Sequence, residues 1–422
     1  MTALLEPGGW PADGAVFSLL CVVLACLVRW AFALLAPSSD HGGVVKAPGR
    51  GGAAPAGAGP DALAALATVG ADEGKAPALA DEQDGEGRRA EATCGLWQGG
   101  GSDVTVERFG KGLQRLIREC YDLHGTAPSR LRMFDDFTVR GSLDREQATL
   151  TECRATQFRR LRAAADLSEV QYCESMCSRP FSGGKVEASG KSGSFFLRTH
   201  DSKFVLKTIE EHEFQVLKDV LPHMVLYLQE HHESLLCRFL GGYYLQVGGR
   251  MVRFVVMANV LPLSADQVYD LKGTTEDRWV DPSTGGVMKD NNFAPYRLLL
   301  ADSLCERITR QIRDDAEFLY SLGVMDYSLL VGVSAPNATD SGSSDLSHVR
   351  GWLSTSSKRA EPRMFQLGII DYLQRWTPKK VAAHWLKKST LGCFHEIDTE
   401  PPAVYYTRFY KYFFEKIQIM AL

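Results

Sequence analysis

Apolar residues recur with two different periods along the chain, and the switches between them mark the expected elements. Phe109, Leu113, Leu116 and Ile117 lie at helical spacing, and an irregular stretch is expected from there to Leu150. Residues 158–176 again read as helix. Phe195-Phe196-Leu197-Arg198 and Phe204-Val205-Leu206-Lys207-Thr208-Ile209 flank a turn at 200–202 and predict a β-hairpin. Residues 210–227 then read as helix. Arg253-Phe254-Val255-Val256-Met257-Ala258 predicts a buried strand that runs through Asn259 and Val260 into a linker ending at Pro262. Leu304, Ile308, Ile312, Leu319 and Leu322 form the stripe of an amphipathic helix. It delivers the chain to Met325-Asp326-Tyr327-Ser328-Leu329-Leu330-Val331, a short apolar strand with one carboxylate at its entrance. A second apolar run, Phe365-Gln366-Leu367-Gly368-Ile369-Ile370, ends on Asp371. The intervening residues 334–362 are rich in Ser, Asn and Gly and are expected to form a mobile insertion. Val381, Trp385 and Leu386 with Lys387 and Lys388 make an amphipathic basic segment, and residues 405–417 an aromatic helix that closes the core.

The N-terminal quarter follows neither period. Residues 15–36 are almost continuously apolar, with Arg29 the only charge, a length that suits one membrane span of about 20 residues. A cleaved signal peptide is the rival, with Ala31-Phe32-Ala33 as a small-x-small site. The segment before the stretch, however, carries Glu6 and Asp13 and no basic residue. Arg29, Lys46 and Arg50 follow it, which places the rest of the chain on the cytosolic side. From 41 to 103 the chain is Gly, Ala and Pro with scattered acids, too poor in apolar residues to offset the entropy of ordering. The expected organisation is an N-terminal membrane anchor (1–40), a disordered linker (41–103) and one catalytic domain (104–422).

Composition narrows the function class. A net charge of −4 argues against the broad basic face of a nucleic-acid protein. The ten cysteines show no zinc-site spacing, since Cys173 and Cys177 find no matching pair. A reduced thiol set on the cytosolic side is expected.

Candidate chemistry lies at the strand ends. Asp326 and Asp371, at the ends of adjacent buried strands, can share one cleft, one taking a hydroxyl proton and the other holding Mg²⁺, as in phosphoryl transfer. Aspartates at element ends also serve simply as caps and turn residues. Gly190-Lys191-Ser192-Gly193-Ser194 precedes the hairpin and lets backbone N–H groups approach phosphates, though it lacks the Walker A offsets. Lys207 sits among apolar and β-branched neighbours, where its charge needs a partner or an exposed edge.

The segments Met325-Asp326-Tyr327-Ser328-Leu329-Leu330, Tyr269-Asp270-Leu271-Lys272-Gly273-Thr274-Thr275 and Lys289-Asp290-Asn291-Asn292-Phe293 resemble signatures of the phosphatidylinositol phosphate kinases. The match extends from about Phe158 to Phe414 and is nearest the type I 4-phosphate 5-kinases. The resemblance implies an α+β, two-lobed lipid-kinase fold with an antiparallel sheet in each lobe, to which the N-terminal transmembrane helix is added. It implies ATP and Mg²⁺, a phosphatidylinositol monophosphate in an anionic membrane as substrate, and no nucleic acid.

The implied roles are specific. Asp326 is the base that orients the inositol hydroxyl, and Lys207 and Lys272 contact phosphates. Gly190, Ser192, Gly193 and Ser194 form the nucleotide loop, Asn259 and Val260 the adenine-binding linker. Glu213 corresponds to the helix glutamate that positions Lys207, with Glu211 as the alternative. Asp371 is the metal ligand. Asp270, Lys272, Lys379, Lys380 and Ala382 face the lipid headgroup, the last three within an activation segment at 372–400. Position 382 is typically Glu in the 4-phosphate 5-kinases and Ala in the 5-phosphate 4-kinases, while Trp385-Leu386-Lys387-Lys388-Ser389 is similar to the 3-phosphate 5-kinases. Phosphorylation of phosphatidylinositol 4-phosphate at the 5-hydroxyl is the expected activity. A 5-phosphate 4-kinase, a relaxed-specificity kinase and an inactive inositide-binding scaffold are the alternatives. A protein kinase does not fit, because His-Arg-Asp and Asp-Phe-Gly are absent.

Overall fold

A computed structural model describes residues 103–126, 136–143, 146–182, 194–261, 265–336, 345–355, 358–391 and 399–420. All of them belong to the unit Leu79–Leu422. The anchor and linker expectations (1–40 and 41–103) fall almost entirely outside these residues. Among the described residues no helix is long and apolar enough to cross a membrane.

The first lobe is built on a six-stranded antiparallel sheet. Its strands are β1 (Phe137–Leu143), β2 (Glu146–Glu152), β3 (Phe196–Arg198), β4 (Phe204–Ile209), β5 (Phe239–Val247) and β6 (Arg250–Ala258), in the order β1-β2-β5-β6-β4-β3. Helices α1 (Asp103–Thr126), α2 (Ala155–Ala164), α3 (Glu169–Cys177) and α4 (Glu211–Glu230) accompany it. Within the stretch expected to be irregular up to Leu150, α1 continues to Thr126 and β1 pairs with β2. Val139 and Leu143 on one strand and Ala148 and Leu150 on the other alternate into the core, a period-2 pattern too short to stand out before its partner is known. The single helix expected over 158–176 is two helices, broken at Ala165 and restarted by Ser168 as N-cap with a Gln171 capping box.

Arg162 shows how these helices are fastened. Its guanidinium is fully buried. It pairs with Glu169 through two bonds (2.6 and 2.8 Å), donates to the Leu240 carbonyl (2.6 Å) and lies over the Tyr172 ring. Two glycines of β5 make room for this layer. A Cβ at Gly241 would come within 2.6 Å of the Tyr172 hydroxyl, and one at Gly242 within 3.0 Å of the Phe158 ring.

The second lobe holds β7 (Gln267–Leu271), β8 (Tyr296–Leu300), β10 (Ser328–Ser334), β11 (His348–Thr355), β12 (Lys358–Ile370) and β14 (Ile417–Ile419), ordered β14-β8-β11-β12-β10-β7. All pairings are antiparallel except β14 with β8, so the sheet is mixed at one edge rather than purely antiparallel. Helices α5 (Asp290–Phe293), α6 (Asp302–Ser321), α7 (Pro378–Leu391) and α8 (Pro402–Lys416) complete it. The insertion expected over 334–362 contains β11, which pairs with β12 on one side and β8 on the other. Its Ser-rich composition hid a strand whose stability comes from its two neighbours. Ile308, Ile312, Ala316 and Leu319 of α6 meet Tyr405, Phe409 and Phe413 of α8 in one core.

The lobes are joined at the segment between α4 and β5. Leu235 and Cys237 hydrogen-bond to both backbone groups of Ile369 on β12 (2.7 and 2.8 Å), and the Tyr372 hydroxyl donates to the Cys237 carbonyl. Asp315 on α6, with no exposed surface, accepts from the Tyr227 hydroxyl (2.8 Å), the Ser234 hydroxyl (2.8 Å), the Leu235 amide (2.7 Å) and Gln311 (2.9 Å). One carboxylate thus ties α4, the crossing segment and α6 together.

Candidate active site

Strand register explains why two distant aspartates meet. β10 pairs with β12 so that Ser328 faces Ile370. A two-stranded ribbon, β9 (Val324–Met325) with β13 (Gln374–Arg375), places Met325 opposite Gln374. Asp326 leaves the ribbon for the sheet, and Asp371 leaves the sheet for the ribbon. The two carboxylates are therefore bracketed by paired strands on both sides. Both residues adopt left-handed backbone (φ 69° and 60°), uncommon for side-chain-bearing residues and tolerated best by Asp and Asn. Neighbouring β7 pairs Leu271 with Leu329, which brings Lys272 to the same end of the sheet.

Four of the expected residues form two ion pairs at this end. The Lys272 ammonium lies 2.5 Å from Asp326 Oδ1, and the Lys207 ammonium, from the first lobe, 2.6 Å from Asp371 Oδ1. Burial opposes the charge on each lysine, but Asp326 with Asp270, and Asp371 with Glu213, more than offset it, so both ammonium groups titrate above the ordinary range. Burial likewise works to raise the Asp371 carboxyl, and Lys207 outweighs it, holding it below the usual range. Lys380 of α7 approaches Asp326 Oδ2 at 3.9 Å.

Glu213 stands in the first turn of α4. It accepts from its own helix cap at Glu210 N (2.9 Å) and from Gln374 of the ribbon (3.3 Å), and acts on Lys207 through space. Glu211 is turned away and pairs with Arg253 at 2.6 Å. Asn259 braces the interlobe linker, donating to the Ser202 and Leu261 carbonyls (2.7 and 3.1 Å) and accepting from the Leu261 amide (3.1 Å). Val260 packs where Gly368 leaves space, since a Cβ there would sit 2.7 Å from its methyl groups. Ser194 is buried beside β3, and Gly190, Ser192 and Gly193 lie outside the described residues. Lys379 and Ala382 are exposed on α7.

Two residues without an expected role support Lys272. Asp290, in the first turn of α5 and fully buried, accepts from the Lys272 amide (3.0 Å), the Gly273 amide (2.8 Å) and Arg278 Nε (2.8 Å). Arg278 in turn bonds Asp270 through its carboxylate (2.9 Å) and carbonyl (2.6 Å). Gly273 itself has φ 74° and backs onto α8, where a Cβ would approach Tyr412 to 3.1 Å. For Asp290 the sequence signal was the third signature segment, residues 289–293, but nothing in it says which side chain faces which backbone amide.

Among the described residues no group of three His, Cys, Asp or Glu side chains converges on a point. A dedicated protein cage for a metal is thus not what these residues offer. Asp371, half-exposed and held ionised, fits Mg²⁺, which takes one or two carboxylates and completes its shell with water and substrate phosphates.

The chain matches the family described as Phosphatidylinositol-4-phosphate 5-Kinase over residues 182–358 and 341–416, more than half its length. It belongs to that family. Among its relatives, a Dictyostelium discoideum protein named "Probable phosphatidylinositol phosphate kinase" is 32% identical over 266 residues, 57% of this chain and 37% of its own. Phosphatidylinositol 4-phosphate 5-kinase 7 of Arabidopsis thaliana is 37% identical over 184 residues, 42% of this chain and 24% of its own. The Gallus gallus phosphatidylinositol 4-phosphate 5-kinase type-1 beta is 29% identical over 318 residues, 62% of this chain and 58% of its own. The alignments thus span between about a quarter and three-fifths of these relatives. As a member of the phosphatidylinositol-4-phosphate 5-kinase family, the chain carries both Lys–Asp pairs within the matched residues.

Proposed function

We propose that this chain phosphorylates phosphatidylinositol 4-phosphate at the 5-hydroxyl with ATP. The observation that carries the reading is the pair of Lys–Asp contacts brought to one end of adjacent strands, Lys207–Asp371 across the lobes and Lys272–Asp326 beside it. Asp326 orients the attacking hydroxyl and takes its proton as the inositol oxygen forms its bond to the γ-phosphorus. The bond from that phosphorus to the bridging oxygen breaks, and ADP leaves. Lys207 holds the ATP phosphates, and Lys272 neutralises charge at the transferred group, so catalysis is mainly placement and preorganised charge. Mg²⁺ bound at Asp371 would supply charge neutralisation for the phosphates. The exposed Lys379, with Trp385 and Leu386 on α7, is the surface assigned to an anionic membrane, where each basic residue contributes about 1 kcal/mol.

One observation favours a second reading, a 5-phosphate 4-kinase. Ala382 is exposed on α7 and offers a methyl group where a carboxylate would repel a misplaced phosphate. Supplying the 3-, 4- and 5-monophosphates separately and identifying the product isomer decides between them. Wild type is expected to use the 4-phosphate with some leakage to the others, and Ala382→Glu to sharpen that preference. A wild type that accepts only the 5-phosphate overturns the 5-kinase reading; transfer to none of the three favours the scaffold.

Residues 15–36 are proposed to anchor the chain with its kinase domain in the cytosol. Deleting residues 1–37 is expected to move the protein from a carbonate-resistant membrane pellet to the soluble fraction, with activity on detergent-dispersed lipid retained. Extraction of the full-length chain by carbonate would count against the anchor.

A further inference from the structure

Helix α7 turns two unlike faces outward and inward. Trp385 and Leu386 are 58% and 66% exposed. His384 and Lys388, one turn apart on another face, converge on Glu400, a carboxylate only 5% exposed that lies just before α8. Lys388 Nζ is 2.9 Å from Glu400 Oε1, and His384 Nδ1 is 3.5 Å from Oε2. His384 Nδ1 also lies 2.8 Å from the Thr399 carbonyl; a carbonyl only accepts, so Nδ1 carries the hydrogen. Trp376 closes the cluster, its ring nearly perpendicular to that of His384 with centroids 5.6 Å apart. At the other end of the helix, Lys380 reaches Asp326. Eight residues separate Lys380 from Lys388, about 12 Å along a helix. α7 is thus held at two points, one at the reacting end of the site and one at a buried carboxylate outside it.

We infer that Glu400 is a positioning residue that latches α7, setting the angle at which its lysines and its Trp385–Leu386 face are presented to the lipid. This rests on the function proposed above and deepens it. Removing one partner of a buried ion pair leaves the other charge uncompensated, which is strongly unfavourable. Losing Lys388 or Glu400 therefore releases the same end of the helix, while Lys207, Lys272, Asp326 and Asp371 stay in place. Glu400 touches none of the reacting groups; its effect passes through α7.

The test compares wild type, Glu400→Gln, Lys388→Gln and the double variant in the full-length chain. The readouts are hydrogen exchange of the α7 amides without lipid, KM for ATP, and activity on phosphatidylinositol 4-phosphate both in phosphatidylcholine vesicles and as a soluble short-chain analogue. Each single variant is expected to speed α7 exchange and raise the apparent KM for vesicles about tenfold, a change of about 1.4 kcal/mol. KM for ATP and kcat on the soluble analogue are expected to stay within about twofold of wild type, and the double variant to be no worse than either single one. Unchanged α7 exchange in both single variants overturns the latch. So does a parallel loss of kcat on the soluble analogue and of thermal stability, which marks a merely structural role. The exchange readout is independent of activity: faster α7 exchange in variants of a chain that phosphorylates no inositide supports the latch while refuting the proposed reaction.

Discussion

Asp371→Asn is expected to lower turnover by about two to three orders of magnitude, the range seen when one preorganised electrostatic group is removed from a reacting centre. Asn keeps the shape of the side chain and can still accept a hydrogen bond from Lys207, so the left-handed turn at φ 60° and the junction of β12 with the ribbon remain. What disappears is the negative charge that answers the Lys207 ammonium and would hold Mg²⁺. The measurement is single-turnover transfer from labelled ATP beside a thermal melt. A variant retaining more than about a tenth of wild-type rate shows that the metal is held elsewhere. A variant that simply unfolds says that the Lys207–Asp371 pair holds the lobes together, and Lys207→Met, which leaves the carboxylate free, then separates the two effects.

The largest stability effect is expected at Asp315. Asp315→Ala removes an acceptor from four donors at once, two of them on the segment that crosses between the lobes. Each buried donor left without a partner costs about 1–3 kcal/mol, so a loss of at least about 3 kcal/mol in urea unfolding is expected, and a loss under about 1 kcal/mol removes Asp315 from the interlobe joint. Its pH behaviour has a definite sign. Burial pushes the carboxyl up to about 6 despite the donors that pull it down. The folded state therefore binds this proton more tightly than the unfolded chain does. That contribution is complete below the ordinary value of 3.8 and is lost as pH rises through about 6. Asp315→Asn, which does not titrate, is expected to flatten the slope of stability in that window.

Several local features were legible before any fold was known. Alternation at Phe204, Leu206 and Thr208 marked β4, and the lysine among these residues was bound to need a partner. The stripe Ile308, Ile312 and Leu319 marked α6, whose face was certain to be buried. The β1–β2 hairpin and β11 escaped because each has only a few inward residues. Part of the stability of each comes from a distant partner, β5 for β2 and β8 for β11, which no window of local sequence contains. The burial of Arg162 was not legible for a related reason: three arginines in five residues look alike until Glu169 and the Leu240 carbonyl are known to surround one of them.

Amino-acid type and spacing by themselves offered Lys207, Asp326 and Asp371 as candidates, since a charge set in an apolar strand or at its end needs a partner or a task. Lys272 came only from the resemblance to the phosphatidylinositol phosphate kinases. The resemblance put Glu213 first with Glu211 as the alternative, whereas spacing alone does not choose, because two residues on adjacent faces of one helix turn differ only in what stands opposite. Tertiary structure alone decided that Glu213 meets Gln374 of the ribbon while Glu211 goes to Arg253. It alone decided that Lys272 answers Asp326, through the register of β7 with β10, and that Lys207 answers Asp371 across the lobes. Register is a non-local quantity: a shift of one residue turns every side chain to the opposite face, and only the packed sheet selects among the registers that the sequence allows.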